Sequence, residues 1–205
     1  MPSYKLTYFN ARGRGEISRL VFAAAGAKYE DVRVEQEDWP KLKPNTPCGS
    51  LPYLEVDGTT IAQSMTVARF LARRFKLMGA NDIEEAKVNS VLDALLDFRT
   101  AFYDNAFEKD EKKKAENDKK IKEETLPGIL KFVTTIIKEN KSKGFTVGSS
   151  LTLADLALLD FLNPGLGFDI DSFEEKYPEV KAVRKNVCCL PKIADWLKKR
   201  PESFF

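Results

Sequence analysis

Apolar positions along the chain follow two patterns that meet near residue 80. In the first part, Tyr4 to Phe9 is a run of β-forming residues, and Ile17, Leu20, Val21 and Ala24 then recur at the i, i+3, i+4, i+7 spacing of an amphipathic helix. Tyr29 to Glu35 predicts a second strand. Tyr53 to Val56 and Thr59 to Ala62 flank Asp57-Gly58, a strong two-residue hairpin signal. Ala68, Leu71, Ala72 and Phe75 mark the helix that follows. From Ile83 onward strand signals vanish: Val88, Val91, Leu92 and Leu95 begin one helical stripe, and Ile129, Phe132, Val133 and Ile136 another. The chain therefore divides into an α/β part, residues 1–80, and an all-helical part, residues 81–205.

Strand, helix, strand, then a hairpin and a closing helix argue for a small mixed sheet with helices packed on it. That order resembles a thioredoxin-like domain. In the helical part, Leu153 to Leu159 holds one polar residue, Asp155, which predicts a helix buried on every side. Thr152 and Asp155 have the spacing of a capping box, with Leu151 and Leu156 placed as a hydrophobic staple, so Asp155 reads as structural.

Composition removes whole classes of chemistry. The 205 residues include no histidine, which excludes Ser-His and Cys-His nucleophile pairs and His-based zinc sites. Three cysteines, two of them adjacent and none in a CxxC, supply neither a disulfide framework nor a zinc ribbon, and fit a reducing cytoplasm. The longest apolar stretch, Leu20 to Ala27, is far short of the ~18 residues of a membrane span, and Met1 to Lys5 opens without a signal-peptide core. With 33 basic against 31 acidic side chains there is no footprint for nucleic acid. The charged run Glu108 to Glu124 mixes both signs, as a solvated helix face does.

Candidate chemistry lies in the first part. Gln63-Ser64 stands where a strand ends and a helix begins; Ser64 either caps that helix or adds a donor to an anion site at its N-terminus. Leu51-Pro52 precedes the third strand, and a cis bond there would turn the Leu51 backbone toward a peptide-like ligand. Trp39 and Lys43 can each donate to a carboxylate. Cys48 has no base to activate it and reads as an inert, buried thiol. Tyr8, near the end of the first strand, either packs in the core or offers a phenolic O–H at the sheet edge where ligands bind.

Tyr8, Arg14, Trp39, Lys43, Pro52, Gln63-Ser64 and the Thr152-x-x-Asp155 helix start, in this order, resemble the cytosolic glutathione transferases of the sigma class along the whole chain. The resemblance implies a homodimeric cytoplasmic enzyme that binds glutathione as co-substrate, uses no metal, and conjugates it to small hydrophobic electrophiles in detoxification. Tyr8 would be catalytic, donating its O–H to the glutathione sulfur, and Arg14 would add positive field there. Trp39 and Lys43 would hold the glycine carboxylate, Gly49, Ser50, Leu51 and Pro52 the cysteinyl stretch, and Gln63 with Ser64 the γ-glutamyl carboxylate. Asp97 would reach the ligand of the neighbouring subunit. Phe9, Phe161 and Phe205 would line the electrophile site, the helical part supplying it together with the dimer contacts.

Two other readings share the resemblance. Prostaglandin-isomerising sigma members carry a tryptophan where this chain has Asp104 and an acid where it has Leu96, so both isomerisation and metal activation lose support. S-crystallins, structural lens proteins of the same lineage, tend to be rich in methionine; this chain has 3 and keeps Trp39, Lys43, Gln63 and Ser64.

Overall fold

A computed structural model describes residues 2–141, 144–162 and 175–203. Its first compact unit holds residues 2–77 and 188–203, its second residues 78–162 and 175–187.

In the first unit, β1 (Tyr4–Phe9) is central, since both faces of its middle are covered: Leu6, Thr7 and Tyr8 are all buried. Helix α1 (Glu16–Ala25) ends at Gly26, whose φ of 66° lets its N–H reach Ala23 O while Ala27 N–H reaches Phe22 O. That stop returns the chain as β2 (Glu30–Val34), parallel to β1 as a helical crossover requires. The hairpin follows as read, β3 (Tyr53–Val56) and β4 (Thr59–Ala62) turning at Asp57 and Gly58, both with positive φ. The sheet order is β2-β1-β3-β4, with β3 antiparallel to both of its neighbours. Between β2 and β3 the proline-bearing segment forms one short helix, α2 (Trp39–Leu42), and two 3₁₀ turns. Helix α3 (Ser64–Arg74) packs against α1, burying Val67, Ala68, Leu71 and Ala72. An edge-on cluster of Tyr4, Phe22 and Phe75, with Tyr29 stacked on Phe22, closes that side, and burial raises the Tyr29 phenol above its ordinary value.

Among its described residues the second unit contains helices and connecting loops and no strand. Helix α4 (Asp82–Ala106) starts at Asn81, whose side chain accepts from Glu84 N–H, and buries Val88, Val91, Leu92 and Leu95 as the spacing predicts. Helix α5 (Glu111–Lys120) buries nothing, in keeping with its mixed charges. In α6 (Leu126–Glu139) the apolar stripe is rotated from the expected one: Leu126, Leu130, Val133 and Ile136 are buried, while Phe132 is 41% exposed. Leu126 and Leu130 continue the same face, so the larger aromatic was the misleading mark. Every residue of α7 (Leu153–Phe161) is buried, and the capping box forms. Asp155 accepts from Thr146 N–H at 2.6 Å, Thr152 N–H at 2.7 Å and Thr152 Oγ1 at 3.0 Å. Burial pushes its carboxyl up, and these donors oppose the push.

Helix α8 (Pro178–Cys188) ends this unit, and α9 (Pro191–Lys199) packs on α1 in the first. The first unit's leading stretch ends at Leu77 and the second unit begins at Met78, and the closing helix groups with the α/β unit. Its Trp196 and Arg200 donate to Glu16, contacts that no local periodicity reveals. The architecture is a thioredoxin-like α/β part followed by helices.

Candidate functional site

Sheet register gathers the candidate residues of the first unit. Thr7 is paired with Tyr53, and Tyr53 with Ala62. The end of β1 at Tyr8 and Phe9, the start of β3 after Leu51-Pro52, and the end of β4 before Gln63-Ser64 therefore share one edge of the sheet. The segment after β2, with Trp39 and Lys43, leaves from the same edge, because Phe9 is paired with Val34.

Tyr8 is 8% exposed, and a tight loop wraps its ring. Gly13, at a φ of +36°, opens the 3₁₀ turn Gly13–Gly15, in which Arg14 N–H donates to the Tyr8 hydroxyl oxygen at 2.9 Å. A phenol oxygen that accepts this bond keeps its own hydrogen for another acceptor. A Cβ on Gly13 would lie 2.4 Å from that oxygen, and one on Gly15 2.5 Å from Cδ1 of the ring, so both glycines are spaces the tyrosine fills. Beneath it the Arg19 guanidinium, 5.8 Å from the ring centroid, donates to the carbonyls of Phe9 and Ala11 and to Asp31. Phe9 meets Tyr8 edge-on and Trp39 likewise, at 5.5 and 5.3 Å between centroids.

Trp39 is half-buried at the head of α2, and Lys43 is exposed at the start of the next turn, where Thr46 Oγ1 donates to its carbonyl at 2.8 Å. Cys48 and Gly49 take φ of 57° and 59°. Cys48 is exposed, contrary to the expected burial, and sits in this left-handed turn outside the strands of the sheet. The Leu51-Pro52 bond is cis, and the β3 ladder starts two residues later, at Tyr53. Gln63 stands at a φ of 73°, a conformation that costs a non-glycine residue about 1–3 kcal/mol. It occupies the N-cap of α3 without a side-chain cap bond, and Ser64 is the buried first residue of the helix. Ser64 is thus not the N-cap.

In the helical unit Asp97, Asp104 and Asp93 are exposed on α4 and Leu96 is half-buried. Phe161, expected to line an electrophile site, is 1% exposed with the Arg99 guanidinium 3.6 Å over its ring, and Arg99 pairs with the buried Asp160. It is a core residue here, because the helix that carries it is covered on all sides. Phe205 lies outside the described residues. Among the described residues no group of three acidic or cysteine side chains could hold a metal ion, and no helix is long and apolar enough to cross a membrane.

Sequence reasoning passed over Glu16 and Arg19, which are fully buried beside the Tyr8 loop. The available signal was their place on α1: both sit within the run Glu16–Phe22 whose every residue is buried.

Comparison with known proteins finds two matching family models. Residues 4–73 match the family model described as glutathione S-transferase, N-terminal domain, and residues 96–200 the one described as glutathione S-transferase, C-terminal domain. The hematopoietic prostaglandin D synthase of Gallus gallus is 44% identical over 203 residues, 99% of each chain. The probable glutathione S-transferase 5 of Caenorhabditis elegans is 42% identical over 213 residues, covering all of both. A monomeric glutathione S-transferase of Necator americanus, of known crystal structure, superposes with a TM-score of 0.86 at 38% identity, over 99% of this chain and 100% of that one.

Proposed function

The chain belongs to the glutathione S-transferase family, enzymes that take glutathione as co-substrate, and within it we propose that Tyr8 activates the bound thiol for attack on small hydrophobic electrophiles, in the manner of the sigma class. The observation that carries this is the bond from Arg14 N–H to the Tyr8 oxygen at the sheet edge. With that bond holding the oxygen in place, the phenolic O–H is the donor this reading directs to the sulfur.

The required effect is modest. A thiol of pKa near 8.5 is only a few per cent ionised at neutrality, and the thiolate is the nucleophile. Lowering that pKa by about two units takes roughly 2.7 kcal/mol, within reach of one charge-assisted hydrogen bond and the nearby Arg14 cation. No imidazole and no metal enter the scheme.

The rest of the tripeptide follows the edge. Trp39 and Lys43 take the glycine carboxylate, Gly49 and Ser50 flank the cysteinyl stretch, and the Leu51 backbone beside cis-Pro52 pairs with it. Gln63 and Ser64, with the first turn of α3, take the γ-glutamyl carboxylate; the strained Gln63 and the absence of a side-chain cap support an opening shaped for a ligand. Phe9, packed between Tyr8 and Trp39, offers apolar surface to the electrophile. We assign glutathione binding to residues 1–80, and electrophile and dimer contacts to residues 81–205. Asp97, exposed on α4, reaches the ligand of a second copy in a homodimer. A cytoplasmic, detoxifying enzyme fits these roles.

The prostaglandin D synthase relative supports a second reading, glutathione-dependent isomerisation of a lipid endoperoxide. Asp104 and Leu96 weigh against it, since both change residues that the resemblance associates with that branch. The deciding experiment is retention on immobilised glutathione followed by turnover of 1-chloro-2,4-dinitrobenzene and of a prostaglandin endoperoxide by the wild type and Tyr8→Phe. Returning the thiol pKa to near 8.5 should cut the thiolate present at neutrality, and conjugation with it, by roughly 25-fold with glutathione affinity nearly unchanged. An unchanged rate would remove Tyr8 from the mechanism.

A further inference from the structure

We infer that Glu16 is a positioning residue for Tyr8, the hub through which Trp196 and Arg200, beside a separate Ser203–Arg12 clamp, hold the loop whose N–H meets the phenol. This rests on the role proposed for Tyr8. Glu16 follows Gly15 directly, and its side chain is 1% exposed. Its Oε1 accepts from Trp196 Nε1 and from Arg200 Nη1, both at 2.9 Å, and its Oε2 lies 3.7 Å from Arg19 Nη1. Arg19 in turn donates to the carbonyls of Phe9 and Ala11, on either side of Asn10. From the closing segment, Ser203 Oγ accepts from Arg12 N–H at 3.2 Å, and the Ser203 carbonyl accepts from Arg12 Nη2 at 2.8 Å. Residues 9, 11, 12 and 16 are thereby fixed. Between the last two clamps lie only Gly13, Arg14 and Gly15, and the Arg14 N–H is the one on Tyr8.

Stability alone does not call for this arrangement. Burying a carboxylate and a guanidinium costs several kcal/mol per ion, and a packed apolar side chain of similar volume often serves as well. What the charged hub adds is direction: a carboxylate that accepts from Trp196 and Arg200 and faces the Arg19 cation fixes where the first turn of α1 begins and so where Arg14 N–H points. Misplacing a catalytic group by about 1 Å can cost on the order of a hundredfold in rate.

The test uses the full chain carrying Glu16→Gln or, separately, Trp196→Phe, which keeps a ring in place and removes one donor. Measured are kcat, KM for glutathione, the pKa of the bound thiol from its ultraviolet thiolate absorbance, and the melting temperature. Both variants should raise the bound-thiol pKa by about one unit and lower kcat about tenfold, with KM for glutathione within about twofold of wild type. A bound-thiol pKa equal to wild type in Trp196→Phe and in folded Glu16→Gln, whatever the melting temperature does, would leave Glu16 merely structural and overturn the inference. Should Glu16→Gln fail to fold, Trp196→Phe alone decides. Tyr8→Phe is titrated alongside. If it too leaves the thiol pKa and kcat unchanged, the reading of Tyr8 fails and this inference falls with it; if Tyr8→Phe responds and the others do not, only the inference fails.

Discussion

A missing side chain at Gly15 decides where the Tyr8 ring can lie. Gly15 has an ordinary φ of −87°, so alanine there meets no backbone penalty; its Cβ would instead sit 2.5 Å from Cδ1 of the ring. Gly15→Ala should therefore shift Tyr8 while leaving its chemistry in place, and conjugation should fall by roughly tenfold to a hundredfold, since displacements of about an ångström have that effect. Steady-state kinetics with a far-ultraviolet check of folding would show it. At this scale the sequence was legible where a residue's chemistry is rare in its context. Tyr8 beside a glycine-rich loop and Gln63-Ser64 at a strand-to-helix junction could be picked out from one chain. Glu16 and Arg19 could not, because an exposed and a buried charge look alike until the partners are known, and the two donors to Glu16 from the closing segment lie 180 and 184 positions away.

Among the elements, α7 has the clearest local code. Its capping box and continuous apolar run were readable in full, and the structure adds that Asp155 also ties down Thr146 from the preceding loop. Asp155→Ala would leave the buried N–H groups of Thr146 and Thr152 without their acceptor, costing about 3 kcal/mol in total. Urea unfolding should show a lower midpoint with an unchanged slope; a change under about 1 kcal/mol would mean that water replaces the carboxylate. Helix α6 shows why the rest was harder. Phe132 and Leu130 are two positions apart on an element rich in apolar residues, so several stripes fit the same spacing and only packing against neighbours selects one. The short turns after Trp39 are harder to recognise because Pro40, Pro44 and Pro47 mask their helical character.

For the whole molecule, the open quantity is the number of copies. One relative of known structure is monomeric. If the site is completed by a second copy, sedimentation should give a dimer, and Asp97→Ala should weaken glutathione binding roughly tenfold by calorimetry without altering the melting curve, the usual size for losing a hydrogen bond to a charged group. Equal affinity in the variant would confine the site to one chain. Division into two parts was evident from the change of periodicity near residue 80, whereas the return of the last helix to the first part depends on contacts between the two ends of the chain.

That return has a bearing on protein engineering. A chimera joined to a relative at residue 77 alone would pair one parent's α1 with the other parent's closing helix, and the carboxylate of Glu16 would face whatever stands in place of Trp196 and Arg200. Breakpoints that preserve a working fold belong at 77 and 187 together, so that both terminal segments are inherited from one parent.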